Sequence, residues 1–70
     1  MKGWTDCLQK MPGKGIDVLV RVDPSLDEFS DAEPAFTTIA RYDGEMSWWS
    51  DERDARYPVE VVVRWKPLPA

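Results

Sequence analysis

The stretch Ile16-Asp17-Val18-Leu19-Val20-Arg21-Val22-Asp23 decides the fold class, because apolar and mostly polar residues alternate along it. A period of two places Ile16, Val18, Val20 and Val22 on one side of an extended chain and Asp17, Leu19, Arg21 and Asp23 on the other. The stretch is therefore predicted to be a strand whose second face is partly covered at Leu19. Just upstream, Pro12-Gly13-Lys14-Gly15 combines a fixed proline torsion with glycines that admit left-handed backbone, which predicts a turn. Far downstream the alternation returns, with Val59, Val61, Val63 and Trp65 on one side and Glu60, Val62 and Arg64 on the other. This is the second strongly apolar strand. Lys66-Pro67-Leu68-Pro69 then leaves the sheet on an extended path, since two prolines remove backbone donors.

Between these strands the pattern changes three times. Pro24 to Pro34 carries prolines at both ends and Ser25-x-x-Glu28, a capping-box spacing, before the isolated Phe29, and it reads as a loop or one short helical turn. Phe36 to Trp49 reads as a β-hairpin, because Asp43-Gly44 suits a two-residue type I′ turn. That turn would set Tyr42 opposite Glu45, Arg41 opposite Met46 and Ile39 opposite Trp48. One face then holds Phe36, Thr38, Ala40, Tyr42, Ser47 and Trp49, and the other Thr37, Ile39, Arg41, Met46 and Trp48. Ser50 to Tyr57 is polar and reads as a solvated connection. The expected fold is mainly β: a four-stranded, mostly antiparallel sheet around the Asp-Gly hairpin. A small closed barrel is the alternative, and a small α+β variant is compatible with the same pattern. The whole chain, 1–70, forms one domain with an acidic loop at 23–35.

Composition narrows the function classes. A chain of 70 residues buries only roughly 60% of the surface its unfolded form exposes, so its core is thin. Domains this small often carry a staple, yet Cys7 is the only cysteine and there is no histidine. An internal disulfide and a Cys/His zinc site are both excluded, which leaves self-association as the available staple. A lone cysteine fits a reducing compartment and reads as a small buried apolar residue. No stretch has the roughly 18 apolar residues of a membrane span, and the first residues lack a signal-peptide core. The net charge of −4 argues against a sequence-blind grip on nucleic acid. The charge is also uneven, since Asp23, Asp27, Glu28, Asp31 and Glu33 fall in one segment without a base.

The two ends of the chain carry motifs: Trp4 with Met11-Pro12, Gly15 and Val18-Leu19-Val20, and Trp65-x-Pro67-Leu68-Pro69, joined by Ala40-x-Tyr42 and a hairpin tryptophan. This frame resembles a family of small phage and prophage proteins of unknown function, which open with Trp…Leu-Pro…Val-Leu-Val and close with Trp-x-Pro-Leu-Pro. The resemblance implies a phage or prophage protein in the cytoplasm of a bacterial host, and it implies no activity. Many relatives look to have histidine before the final tryptophan, where this chain has Arg64.

Catalysis is not expected. General acid–base work at neutral pH is most often done by histidine, and a thin domain offers little cavity in which burial would raise Asp27, Glu28, Asp51, Glu52 or Asp54. No metal or cofactor is expected, because the acidic loop lacks the ligand spacing of a calcium loop. The leading expectation is a protein-binding or assembly module whose contact face is Ile39, Arg41, Met46 and Trp48, an apolar cluster bordered by a guanidinium. Its partner would be a host or phage protein or a second copy, with no direct nucleic-acid or membrane contact. The alternative is an inhibitor of a nucleic-acid-binding host protein, of the DNA-mimic or anti-CRISPR-like kind. There Asp23, Asp27, Glu28, Asp31 and Glu33 would present phosphate-like charge.

Overall fold

The computed structural model describes residues 3–26 and 34–69. Its strands are β1 (Thr5–Asp6), β2 (Asp17–Val22), β3 (Phe36–Tyr42), β4 (Ser47–Ser50), β5 (Ala55–Pro58) and β6 (Val62–Pro67). They form one sheet in the order β1-β6-β2-β3-β4-β5, and every neighbouring pair is antiparallel. β1 and β5 are separate edges, so the sheet is open and the closed-barrel alternative is excluded.

β2 forms where the alternation predicts it. Val18, Val20 and Val22 are at most 3% exposed, and the strand pairs with β3 on one edge and β6 on the other. Ile16 is not part of the stripe. The chain turns at Gly15, whose φ is +77°, and its N–H is held by the Tyr42 carbonyl, so Ile16 precedes the strand and is exposed.

Around the valines the core gathers Ala40, Trp48, Val61 and Val62. Two polar residues, Thr38 and Ser50, are buried with them. The Thr38 hydroxyl donates to Glu52 Oε1 at 2.8 Å and the Ser50 hydroxyl to the Ile39 carbonyl at 2.8 Å, so neither is left without an acceptor, as burial demands. The N-terminal segment closes one side of the core. The Trp65 indole donates to the Lys10 carbonyl and the Cys7 N–H to the Val63 carbonyl.

Six strands replace the expected four. The extra two are short: β1 spans two residues and β5 four, too few to establish a period. β5 lies inside the segment read as a polar connection. The chain reverses at residues 51–54, with Asp54 at φ +50°, and lays Tyr57 beside Trp48 and Ala55 beside Ser50. Tyr57 then meets Phe36 edge-on at 5.7 Å, and the Arg53 guanidinium caps the Phe36 ring at 3.8 Å.

The short helical turn after Pro24 is present, and the start of the last strand is corrected. Pro24–Leu26 is a single 3-10 turn, and its cap is the Asp23 carboxylate, which accepts from the Ser25 N–H and hydroxyl. The Glu28 half of the supposed capping box and Phe29 lie outside the described residues. Val59–Val61 is also a 3-10 turn, so the last strand begins only at Val62. Consecutive Val61 and Val62 are both buried, which a continuous strand would forbid.

The hairpin register differs most. Tyr42 pairs with Trp48 and Arg41 with Trp49, three positions from the register of a two-residue turn. An odd shift sends every β4 side chain to the opposite face. The Asp43 side chain makes the wider turn. Its Oδ1 accepts from the Glu45 and Ser47 N–H groups, its Oδ2 from the Ser47 hydroxyl, and Gly44 and Met46 take positive φ. The exchange puts Trp48 at 0% exposure and Met46 at 66%. Burying an indole removes roughly 150–250 Å² from water, about 4–6 kcal/mol at 25 cal/mol/Å², which outweighs the left-handed backbone at Met46.

Trp48→Ala is therefore expected to cost ~3–5 kcal/mol in urea unfolding, whereas Met46→Ala stays within about 0.5 kcal/mol of wild type. Equal or reversed costs would restore the two-residue turn.

Candidate functional site

Because β2 sends its valines inward, its other residues and their cross-strand partners share the opposite face. Three rows cross that face. Arg64, Arg21 and Thr37 stand in one, Lys66, Leu19 and Ile39 in the next, and Asp17, Arg41, Trp49 and Arg56 in the third. Trp4 joins from the β1 edge, with the Lys66 ammonium 5.2 Å from its ring centre. Trp4, Leu19, Ile39 and Trp49 are all part-buried. Five of the nine basic residues of the chain lie here, which the overall negative charge conceals.

One end of the face is a tight polar network. Arg41 Nη1 sits 2.6 Å from Asp51 and 3.7 Å from Asp17, and the Trp49 indole N–H donates to Asp51 Oδ1 at 2.6 Å. Arg56 bonds Asp43 at 3.0 Å and lies 5.9 Å from the Trp49 ring centre. The Arg41 and Trp49 donors hold the Asp51 carboxyl below its ordinary range. The Ser47 hydroxyl and the Glu45 N–H do the same for Asp43. At the other end, Arg21 donates to the Thr37 hydroxyl at 3.3 Å. A hollow of about 280 Å³ lies among Trp4, Arg21, Thr37 and Arg64.

The patch expected from sequence is divided by this geometry. Ile39 and Arg41 are on the open face. Trp48 is in the core, its ring 5.4 Å from Tyr42, because the wider turn inverted β4. Its indole N–H is buried without an acceptor among the described residues. Met46 is in the turn, where it lines an apolar groove of about 590 Å³ with Cys7, Leu8, Met11, Leu26 and Val59. Of the acidic set, Asp23 is committed to Ser25, and Asp27, Glu28, Asp31 and Glu33 lie outside the described residues. Trp4, Leu19, Arg21, Trp49, Arg64 and Lys66 were missed, although the alternation had already turned Leu19, Arg21 and Arg64 away from the valines.

Among the described residues no group of three or more His, Cys, Asp or Glu is placed to hold a metal ion. No helix is long and apolar enough to cross a membrane. Burial, with the neighbouring Asp6 charge, pushes the Cys7 thiol up to about 11, so little thiolate forms at neutral pH.

Two solution measurements follow from these groups. Iodoacetamide should label native Cys7 slowly at neutral pH, with the rate rising as pH approaches 11; fast neutral labelling would contradict the burial. For Asp51 the folded value is depressed, so its stabilisation is complete above the unfolded carboxylate value of about 3.9 and is lost as pH falls through the folded value. The stability gap between wild type and Asp51→Asn should thus be constant from about pH 5 upward and narrow below about pH 4, read by urea unfolding. A gap that widens in acid would refute the Arg41–Asp51–Trp49 network.

Comparison with known proteins adds a family. No curated protein and no solved structure matches the chain. A family model described as a protein of unknown function, DUF551, matches residues 3–70. Since that match takes in every strand of the sheet, the chain belongs to the DUF551 family of proteins of unknown function.

Proposed function

We propose that this chain is a small phage or prophage accessory protein that works by binding another protein across the open face of its sheet. The observation that carries the reading is the composition of that face. Part-buried Trp4, Trp49, Leu19 and Ile39 alternate with Arg21, Arg41 and Arg64, and tryptophan and arginine are the residues over-represented at interface anchors. The face spans five inter-strand steps of ~4.8 Å, about 24 Å, and ~17–20 Å along β2. Such an area suits the small, transient class of interface. Because Arg41, Asp51 and Trp49 are already bonded to one another, a partner meets side chains that have lost much of their rotamer freedom, which lowers the entropic cost of docking.

The phage setting, and with it the cytoplasm of a bacterial host, rests on the likeness of the terminal motifs. No catalytic step is included, because the sequence has no histidine and its one thiol stays protonated at neutral pH. The acidic-inhibitor alternative has no supporting observation to carry it, since four of its five carboxylates lie outside the described residues.

The test is capture of host or phage proteins by the tagged chain, with Ile39→Glu and Trp49→Ser on the open face and Leu8→Ser on the groove side. A protein, or a second copy, that is retained by wild type and Leu8→Ser but lost by both open-face variants, each folded by circular dichroism, is the expected result. Loss only in Leu8→Ser would move the contact to the groove and overturn the proposal.

A further inference from the structure

The cations of the open face are not treated alike. Arg41 lies between Asp17 and Asp51, and Arg56 is bonded to Asp43. Arg21, Arg64 and Lys66 have no carboxylate within ion-pair distance among the described residues. Arg21 and Arg64 stand directly opposite each other on β2 and β6, an arrangement of like charges that weakens a sheet. Two acids stand near Arg64 without forming an ion pair with it, and each accepts a hydrogen bond within its own turn. Asp6 pairs with Arg64 across β1, but its Oδ1 accepts the Leu8 N–H at 2.9 Å. Asp6 and Asp23 share a second hollow of about 460 Å³ with Trp4 and Arg64, and the Asp23 Oδ1 is bonded to Ser25, whereas the hollow among Trp4, Arg21, Thr37 and Arg64 is lined by no acid. Trp4 and Arg64 line both hollows.

We propose that the Arg21–Arg64 pair, with Lys66 and Trp4 beside it, is a carboxylate-binding subsite that takes an acidic side chain of the partner protein. The proposal rests on the reading of the open face as the docking surface and names the chemistry of what docks there. Guanidinium forks bind carboxylates bidentately, and the Thr37 hydroxyl on Arg21 presets one fork. The bound acid would also relieve the repulsion between the two arginines.

Charge complementarity selects a protein over a nucleic-acid strand. A strand repeats its phosphates along the whole contact, and here it would run over Asp17 and Asp51 in the field of a chain of net charge −4. Three cations at one end with no carboxylate in ion-pair distance among the described residues suit one or two carboxylates. In the row of Lys66, the neighbouring Leu19 and Ile39 offer aliphatic ground for apolar residues flanking the acid. The partner segment is thus an acidic side chain within an apolar stretch.

The probe is the tetrapeptide acetyl-Leu-Glu-Leu-Asp-amide, titrated into nitrogen-labelled protein while the arginine Nε–H and tryptophan indole resonances are followed. Its neutral Gln/Asn counterpart, inorganic phosphate and an oligothymidylate are run beside it. The acidic peptide should shift Arg21, Arg64 and Trp4 and leave Arg41 and Arg56 in place. Arg21→Gln and Arg64→Gln should each weaken it roughly tenfold or more while melting no lower than wild type. A lower melting point would mean that the pair holds the fold together. No shift, an equal response to the neutral peptide, or tighter binding of phosphate or oligothymidylate would each overturn the assignment. Loss of capture in Ile39→Glu without any response at the arginines would keep the docking face and discard the subsite; the opposite pattern would discard the face.

Discussion

Strand β2 is paired along both edges and buries a valine at every second position, and the remainder of the sheet takes its orientation from that constraint. Each fully buried valine contributes about 1.5–3 kcal/mol, so three of them are comparable with the whole net stability of a small domain, roughly 5 kcal/mol upward. A slip of one residue would exchange Val18, Val20 and Val22 for Leu19 and Arg21 in the core. With the slip forbidden, Phe36, Thr38 and Ala40 must point inward from β3 and Trp65 from β6. The opposite side then receives Arg21, Thr37, Ile39, Arg41, Arg64 and Lys66 without further instruction. The basic face is a by-product of core formation, and among the described residues its two ends differ in whether aspartates stand within ion-pair distance of the cations.

Two of those aspartates serve the fold and the face together. Asp43 builds the turn that buries Trp48 and also holds Arg56; Asp51, just past the end of β4, holds Arg41 and Trp49. Exposed ion pairs contribute little to stability, about 0–1 kcal/mol each. Their consequence is positional. They fix Arg41, Arg56 and Trp49 at one end of the sheet and leave Arg21, Arg64 and Lys66 to whatever approaches the other.

The parts of this fold that were legible in the sequence are those decided by local alternation. Ile16 to Asp23 announced β2, and the inward set of β3 followed from the same rule. The mainly β, antiparallel class was readable, and so was the hairpin's existence. Its register was not, because Asp43-Gly44 satisfies a two-residue turn as well as it begins a longer one. Only the competition between Met46 and Trp48 for the core decides between them, and that competition is tertiary. β1 and β5 are too short to establish a period, and Val59–Val61 looked like strand because its residues alternate apolar and charged, although the chain turns there and buries only Val61. The candidate site inherited this error at Met46 and Trp48. Ile39 and Arg41 do share one face, because β3 alone sets their direction. The pairing of Arg21 with Arg64 joins distant parts of the chain, and nothing local foretells it.

β6 comes last in the chain yet lies between β1 and β2, the two strands that come first. Until residues 62–67 are available, β2 has only β3 as a neighbour, and β1 has nothing to pair with. A chain in which β6 has not yet docked pairs β2 with β3 alone and leaves the other backbone edge of β2 open. The sheet therefore completes in a late step that joins residues far apart in sequence, the kind of closure that makes folding slow. During that interval the unpaired edge of β2 is the segment most open to pairing with another chain.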